Sequence, residues 1–162
     1  MRELLPLAEQ IGALLKARGE TVAVGESSSG GLISAALLGV AGASAWYLGG
    51  GVIYTPKARA VLMDIPRARV TGLRSASEPY ALLLAQTARE RLDASWGISE
   101  TGAAGPTGNP YGDAAGHTCI AISGPRDMAI TVESGSSDRV ANMHVFAAAA
   151  LELLLSALKE PA

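Results

Sequence analysis

The sequence predicts a three-layer α/β/α fold around a mixed sheet. Three observations carry this. Helix-period and strand-period segments alternate through the first hundred residues. Two apolar strand segments, 116–123 and 128–133, are joined by the turn Gly124-Pro125-Arg126-Asp127. A long helix with one apolar face closes the chain over 137–159. Alternating helices and strands place helices on both faces of a largely parallel sheet. The hairpin adds antiparallel strands and makes the sheet mixed.

The elements follow in order. Residues 3–18 read as a helix with Leu4, Leu7, Ile11, Leu14 and Leu15 on one face. Pro6 falls in its first turn and Gly19 just past its end, where each residue type is at home. Residues 20–24 form a short strand, with Thr21 to Val24 apolar and β-branched. A Ser/Gly turn leads into a helix over about 30–38, and the turn 39–44 follows. The segment 46–54 is a second strand interrupted by Gly49-Gly50-Gly51; these glycines indicate a bulge, a close backbone approach or a packing kink. Thr55 as N-cap and Pro56 at the first helical position start a helix that runs to about Met63. Ser77-Glu78-Pro79 starts another, with Ala81, Leu84, Ala85, Ala88 and Leu92 on one face. Trp96 to Ser99 is a third strand. Thr101 to Gly112 is a long glycine–proline loop, of the kind that is functional or disordered more often than inert. The final helix buries Val140, Met143, Ala147, Leu151, Leu154, Leu155 and Leu158.

Composition bounds the rest. The 162 residues suit one domain over 1–162 with a full core. The chain is 49% hydrophobic but only 4% aromatic, so that core is aliphatic and alanine-rich. A net charge of -2 with no basic run argues against nucleic acid as a partner. Cys119 is alone and sits in a strand, as a buried thiol would. His117 and His144 lack metal-ligand spacing, and no metal or cofactor is expected. No leader is visible, and no apolar run reaches spanning length without Gly or charge, which predicts a cytoplasmic protein with no membrane partner. The alanine-rich last helix and the few charges suit self-association into a homo-oligomer.

The chemistry concentrates at residues 21–31, a strand, tight turn and helix. A hydroxyl there stands at the carboxyl end of a strand, where open α/β sheets bind ligands. The helix start directs N–H groups and its positive dipole end into the turn. Ser27, Ser28 and Ser29 are placed to cap the helix, to hold an anion or to supply a nucleophile. The loop 101–112 presents backbone N–H groups that few side chains obstruct, suited to a phosphate or an oxyanion.

Glu26-Ser27-Ser28-Ser29-Gly30-Gly31 resembles the E-S-C-T-G-G signature of the CinA C-terminal domain family, which includes the stand-alone nicotinamide-nucleotide amidohydrolases. Thr101-Gly102-Ala103-Ala104-Gly105-Pro106 resembles that family's T-G-x-A-G-P motif. Tyr54 to Arg59 is similar to its Y-S-N-E-A-K segment, with the register fixed by Leu62-Met63-Asp64-Ile65-Pro66. The resemblance spans roughly residues 4–158. It implies hydrolysis of nicotinamide mononucleotide to nicotinic acid mononucleotide and ammonia, with Ser27 as nucleophile. It implies a ligand site formed by Glu26, Ser28, Ser29, Gly30, Gly31, Tyr54, Thr101, Gly102, Ala104, Gly105 and Arg139. The partner is then a small-molecule nucleotide.

Where the family pairs its serine with a lysine, this chain has Arg59, and Lys57 lies two positions earlier. A lysine can lose its proton on burial and activate a serine; an arginine stays protonated. Arg59 therefore suits a phosphate or an oxyanion, and Lys57 is the candidate proton acceptor. Arg139 reaches either a ligand phosphate or Asp138, and Tyr54 either meets the nucleotide or closes its strand end. The replacement leaves a second expectation open: a member of the family that binds a nucleotide without turning it over.

Overall fold

The computed structural model describes residues 1–160, so the last two residues of the domain expected over 1–162 lie outside the described residues. Strands β1 (Val22–Glu26), β2 (Tyr47–Val52), β3 (Trp96–Ala103), β4 (His117–Ser123) and β5 (Met128–Glu133) appear in the predicted order. So do helices α1 (Leu5–Arg18), α2 (Leu32–Leu38), α3 (Pro56–Leu62), α4 (Glu78–Arg91) and α5 (Arg139–Lys159). The sheet order is β2-β1-β3-β4-β5. β1 runs parallel to β2 and β3, while β3–β4 and β4–β5 are antiparallel, so the sheet is mixed as the hairpin requires.

The period of two along the strands builds two different faces. Val22, Val24, Ile98, Ile120 and Ile122 point to one side and form the main core with α1, α2 and α5. Ala23, Cys119 and Ala121 point to the other, against α4 and the segment around α3. Small residues on that second face let α4 come down onto the sheet. Ser99 Oγ donates to the Ala81 carbonyl at 2.6 Å, and a Cβ at Gly97 would collide with the Ala85 carbonyl. α5 is long and apolar enough to cross a membrane by length and composition, yet Ala147, Leu151, Leu154 and Leu158 sit in the main core.

Some boundaries differ from the sequence reading. β3 continues four residues past Ser99, because Glu100 to Ala103 pair with β4 as Thr101↔Cys119, Gly102↔Thr118 and Ala103↔His117. The first residues of the expected loop are therefore ladder. Val140 is 64% exposed: Asn142 is the buried residue of that turn, and two positions are about 200° around a helix. Leu92 lies just past the end of α4 and is exposed. The β2 glycines serve two of the anticipated purposes. The β1–β2 register shifts between Val22 and Ala23, and a Cβ at Gly50 would lie 2.5 Å from the Val24 carbonyl oxygen.

Gly97→Ala is expected to destabilise the protein by about 2 kcal/mol or more through overpacking between α4 and the sheet. Urea denaturation of both proteins measures it; a loss below about 0.5 kcal/mol would contradict the close approach.

Candidate active site

β1 ends at Glu26, which is completely buried. Its carboxylate turns back under the start of α2. Oε2 accepts from Ser29 Oγ at 2.7 Å and the Ile33 N–H at 3.1 Å, and Oε1 accepts from the Ser34 N–H at 3.0 Å. The N-cap residue is Gly31, without a side-chain bond, so Glu26 does the capping and none of the three serines does. An anion at this end also suits the helix dipole. The N–H groups expected to face a ligand are engaged instead by the chain's own carboxylate.

A second buried carboxylate, Glu100 on β3, holds the turn from the adjacent strand. Oε2 accepts from the backbone N–H groups of Ser27 at 3.2 Å and Ser29 at 2.8 Å. Oε1 accepts from the hydroxyls of Ser28 and, at 2.8 Å, Thr118. β1 and β3 are parallel neighbours with Gly25 beside Ser99, which brings residue 100 up beside the turn. Sequence reasoning missed Glu100 because it ended the strand at 99. The available signal was a carboxylate following directly on an apolar strand, a place where it needs several donors.

The two carboxylates sort the serines. Ser28 and Ser29 give their hydroxyls to Glu100 and Glu26. Ser27 is half-buried, and its hydroxyl has no hydrogen bond to any described residue. It lines a cleft of about 290 Å³ with Tyr54, Arg59, Thr101, Gly102 and Tyr111. Thr55 caps α3 by accepting the Ala58 N–H at 3.1 Å, with Pro56 at the first position, as the sequence predicts. That helix carries Arg59 inward. Arg59 is only 7% exposed, and Nε donates to the Ile65 carbonyl at 3.3 Å. Its Nη atoms have neither a hydrogen bond nor a carboxylate partner among the described residues. Lys57, about 200° around the helix from Arg59, is exposed and lines no part of the cleft.

A second chamber of about 260 Å³ adjoins the first, sharing Tyr54 and Gly102 and adding Ser28, Ala104, Gly105 and Arg139. Arg139 donates to the Gly105 carbonyl and, at 3.0 Å, to the Tyr54 hydroxyl. It does not pair with Asp138, whose carboxylate caps α5 on the Ala141 N–H at 3.0 Å. Asn142, buried in α5, donates to the carbonyls of Ala104 at 2.7 Å and Ser136 at 2.8 Å and so fixes the chamber wall. Asn142 too escaped the sequence reading; a single amide on an apolar helix face was its signal. The structure therefore brings together Ser27, Ser28, Tyr54, Arg59, Thr101, Gly102, Ala104, Gly105 and Arg139. It leaves Glu26, Ser29, Gly30, Gly31 and Lys57 outside both chambers.

The far wall is tied down by His117. This buried ring bonds Glu133 through Nδ1 and the Ala76 carbonyl, 2.8 Å away, through Nε2, with Asp113 3.6 Å off. Asp113 in turn holds Arg74 and Asn109. Burial alone would lower the His117 pKa, but the Glu133 hydrogen bond, the Ala76 carbonyl and the Asp113 charge outweigh it and raise it. Cys119 lies 3.4 Å from the same carbonyl, and burial pushes its thiol pKa up.

The sequence model of the CinA C-terminal domain matches residues 4–158. A CinA-like protein of Anaeromyxobacter dehalogenans is 37% identical over 153 residues, covering 94% of this chain and 38% of that protein; the chain thus spans less than two-fifths of that relative's length. The crystal structure of the competence/damage inducible protein CihA from Agrobacterium tumefaciens superposes with a TM-score of 0.88 at 29% identity, covering 98% of this chain and 96% of that one. A competence-damaged protein (CinA) superfamily structure from Escherichia coli, at 24% identity, has the same fold, with a TM-score of 0.89 over 95% of this chain and 90% of that one.

Glu100→Ala strands four donors in the interior and is expected to cost about 3 kcal/mol or more of stability by denaturant unfolding; a loss under about 1 kcal/mol would contradict its role. The His117 pKa is raised on folding, so its contribution is complete below its ordinary value and fades as pH rises through the raised one. The stability gap between the wild type and His117→Gln, followed by thermal unfolding, is therefore expected to be widest near about pH 5.5 and to shrink toward about pH 9. A gap that is constant with pH would contradict this.

Proposed function

Because the chain belongs to the CinA C-terminal domain family, we propose that it is a nicotinamide mononucleotide amidohydrolase with Ser27 as nucleophile. The supporting observation is that Ser27, the one serine of the turn whose hydroxyl is unengaged, lines a cleft together with Thr101, Gly102 and the largely buried Arg59. Ser27 Oγ attacks the carboxamide carbon and gives a tetrahedral oxyanion. The serine's proton is carried to the amide nitrogen by water in the open cleft, so that collapse breaks the C–N bond, expels ammonia and leaves an acyl-enzyme; a second water then attacks the ester, giving the carboxylate and returning the proton to Ser27. Arg59, charged at every working pH, faces the developing oxyanion, where a fixed cation lowers the barrier. The chamber lined by Ala104, Gly105 and Arg139 suits the 5′-phosphate.

The placements of Arg59 and Lys57 favour a second reading. The cleft holds no lysine, and Lys57 faces solvent, so the nucleophile's proton has no amine to accept it. On this reading the same nucleotide is bound and not turned over.

One experiment separates the two: ammonia release from nicotinamide mononucleotide, measured beside a calorimetric titration. The first reading predicts release that falls at least about 100-fold in Ser27→Ala and is unchanged in Lys57→Ala. Saturable binding with no release would establish the second. No binding and no release would contradict both.

A further inference from the structure

We propose that His117 is a positioning residue for the Ser27 cleft: as a doubly protonated ring it pins the entry of α4 to the 109–113 loop, and the far wall loosens when the ring gives up a proton. The cleft takes that wall from two separate segments, Ser75, Ala76 and Tyr80 on one side and Asn109, Pro110 and Tyr111 on the other. Neither is part of the sheet. An exposed bridge, Arg74 to Asp113, joins them at the surface. His117, on β4 and 4% exposed, joins them from within.

The ring's partners fix its charge. Nδ1 meets the Glu133 carboxylate, and Nε2 meets the Ala76 carbonyl at 2.8 Å. Both partners are acceptors, and a neutral imidazole has only one N–H to give. The imidazolium alone donates to both. Asp113 Oδ2, 3.6 Å from Nε2, adds a second negative charge. Arg74 reaches the ring only through Asp113. Glu78, at the start of α4, bonds Thr131 of β5. Cys119, on β4 itself, places a thiol made a weaker acid by burial 3.7 Å from Nε2. Burial opposes a charged ring, and the Glu133, Ala76 and Asp113 contacts outweigh it.

Both segments need such a tie. Ala76 has φ 54°, a left-handed conformation disfavoured for a residue with a Cβ, and its carbonyl is held only by the His117 ring and, at 3.4 Å, by the Cys119 thiol among the described side chains. The 109–113 loop is ordered by its own bonds: Asn109 Oδ1 accepts the N–H groups of Tyr111 at 3.0 Å and Asp113 at 3.1 Å, and Asp113 accepts from Asn109 Nδ2 at 2.8 Å. Those bonds shape the loop without attaching it to α4. Attachment runs through the Asp113 carboxylate, to Arg74 and to the charged ring. A neutral ring that keeps its Nε2 proton loses its charge toward Asp113 and its donor to Glu133; one that keeps its Nδ1 proton drops Ala76. The tie is therefore complete below about pH 6.5 and is lost as pH rises through the raised value. That the loosened wall weakens nucleotide binding rests on the reading of the Ser27 cleft as the nucleotide site; the tie itself does not.

The first test needs no ligand. The rings of the two histidines are titrated by NMR, with His117→Gln assigning the signal, while hydrogen exchange is read over residues 74–77 and 109–113. The His117 ring is expected to be charged at pH 7, and the protection of both segments to fall at least about fivefold through its midpoint. His117→Gln should show low protection that does not vary with pH. The Glu133 side chain is 58% exposed, so Glu133→Gln leaves the fold intact; its amide oxygen still accepts from Nδ1, and it should move the ring's midpoint and the loss of protection down together. A ring neutral at pH 7, or protection indifferent to its titration, would overturn the proposal. Calorimetric titration of nicotinamide mononucleotide, with Ser27→Ala throughout to keep the carboxamide intact, reads the consequence. His117→Gln should weaken binding about five- to tenfold near pH 6.5 and less than about twofold near pH 9.5; comparing the two proteins at each pH cancels the titration of the nucleotide's own phosphate. A ratio constant with pH would overturn the proposal as well. If the nucleotide binds neither protein, the nucleotide reading fails, and the ring titration and exchange still decide whether His117 holds the wall.

Discussion

Two buried carboxylates hold the serine turn, and the site depends on how they do it. Glu26 closes the start of α2, and Glu100 draws the turn down onto β3. Neither has an ion-pair partner among the described residues. Each is satisfied by backbone N–H groups and hydroxyls, the arrangement that makes a buried charge tolerable. Since these acceptors take the hydroxyls of Ser28 and Ser29, Ser27 alone of the three keeps an unengaged hydroxyl, and it is Ser27 that lines the cleft. The same bonds also occupy the N–H groups of Ser27 and Ser29, which leaves the guanidinium of Arg59 as the prominent positive group facing Ser27's cleft.

The rest of the fold serves to bring three walls to that hydroxyl. The parallel β1–β3 pair sets Glu100 beside the turn. The small-residue face of the sheet lets α4 sit close, and its N-terminal approach delivers Ser75, Ala76 and Tyr80 to the cleft. Asn142 and Arg139 at the start of α5 hold the loop at Ala104 and Gly105, while His117 binds the Ala76 carbonyl from the opposite side. Arg59 arrives from α3, whose cap and proline fix where the helix begins. A lysine at that position would supply a titratable amine; the arginine supplies a fixed charge. That one difference separates turnover from retention as descriptions of the cleft.

Much of this was legible in the sequence. Alternating periods, terminal prolines and glycines, and the hairpin turn are local signals, and they produced the five described strands and five α-helices in the right order, though not the short 3-10 turns at Ala43–Ala45 and Arg67–Val70. The turn at 26–31 and the 101–106 segment were recognisable because they join glycines to hydroxyls at a strand end. What escaped depends on pairing across the chain. β3 extends to Ala103 only because β4 is beside it, and with that extension goes Glu100. Asn142 acquires its meaning from Ala104, nearly forty residues away. Lys57 and Arg59 differ by two positions in sequence and by opposite sides of a helix in space. The serines read as three equivalent hydroxyls until their acceptors are known.

The most direct measurement is a crystal structure of the protein soaked with nicotinamide mononucleotide. The predicted result is the carboxamide in van der Waals contact with Ser27 Oγ, with the Ser28 and Ser29 hydroxyls still on Glu100 and Glu26. A nucleotide lodged elsewhere, or one met by Ser28 turned away from Glu100, would contradict it.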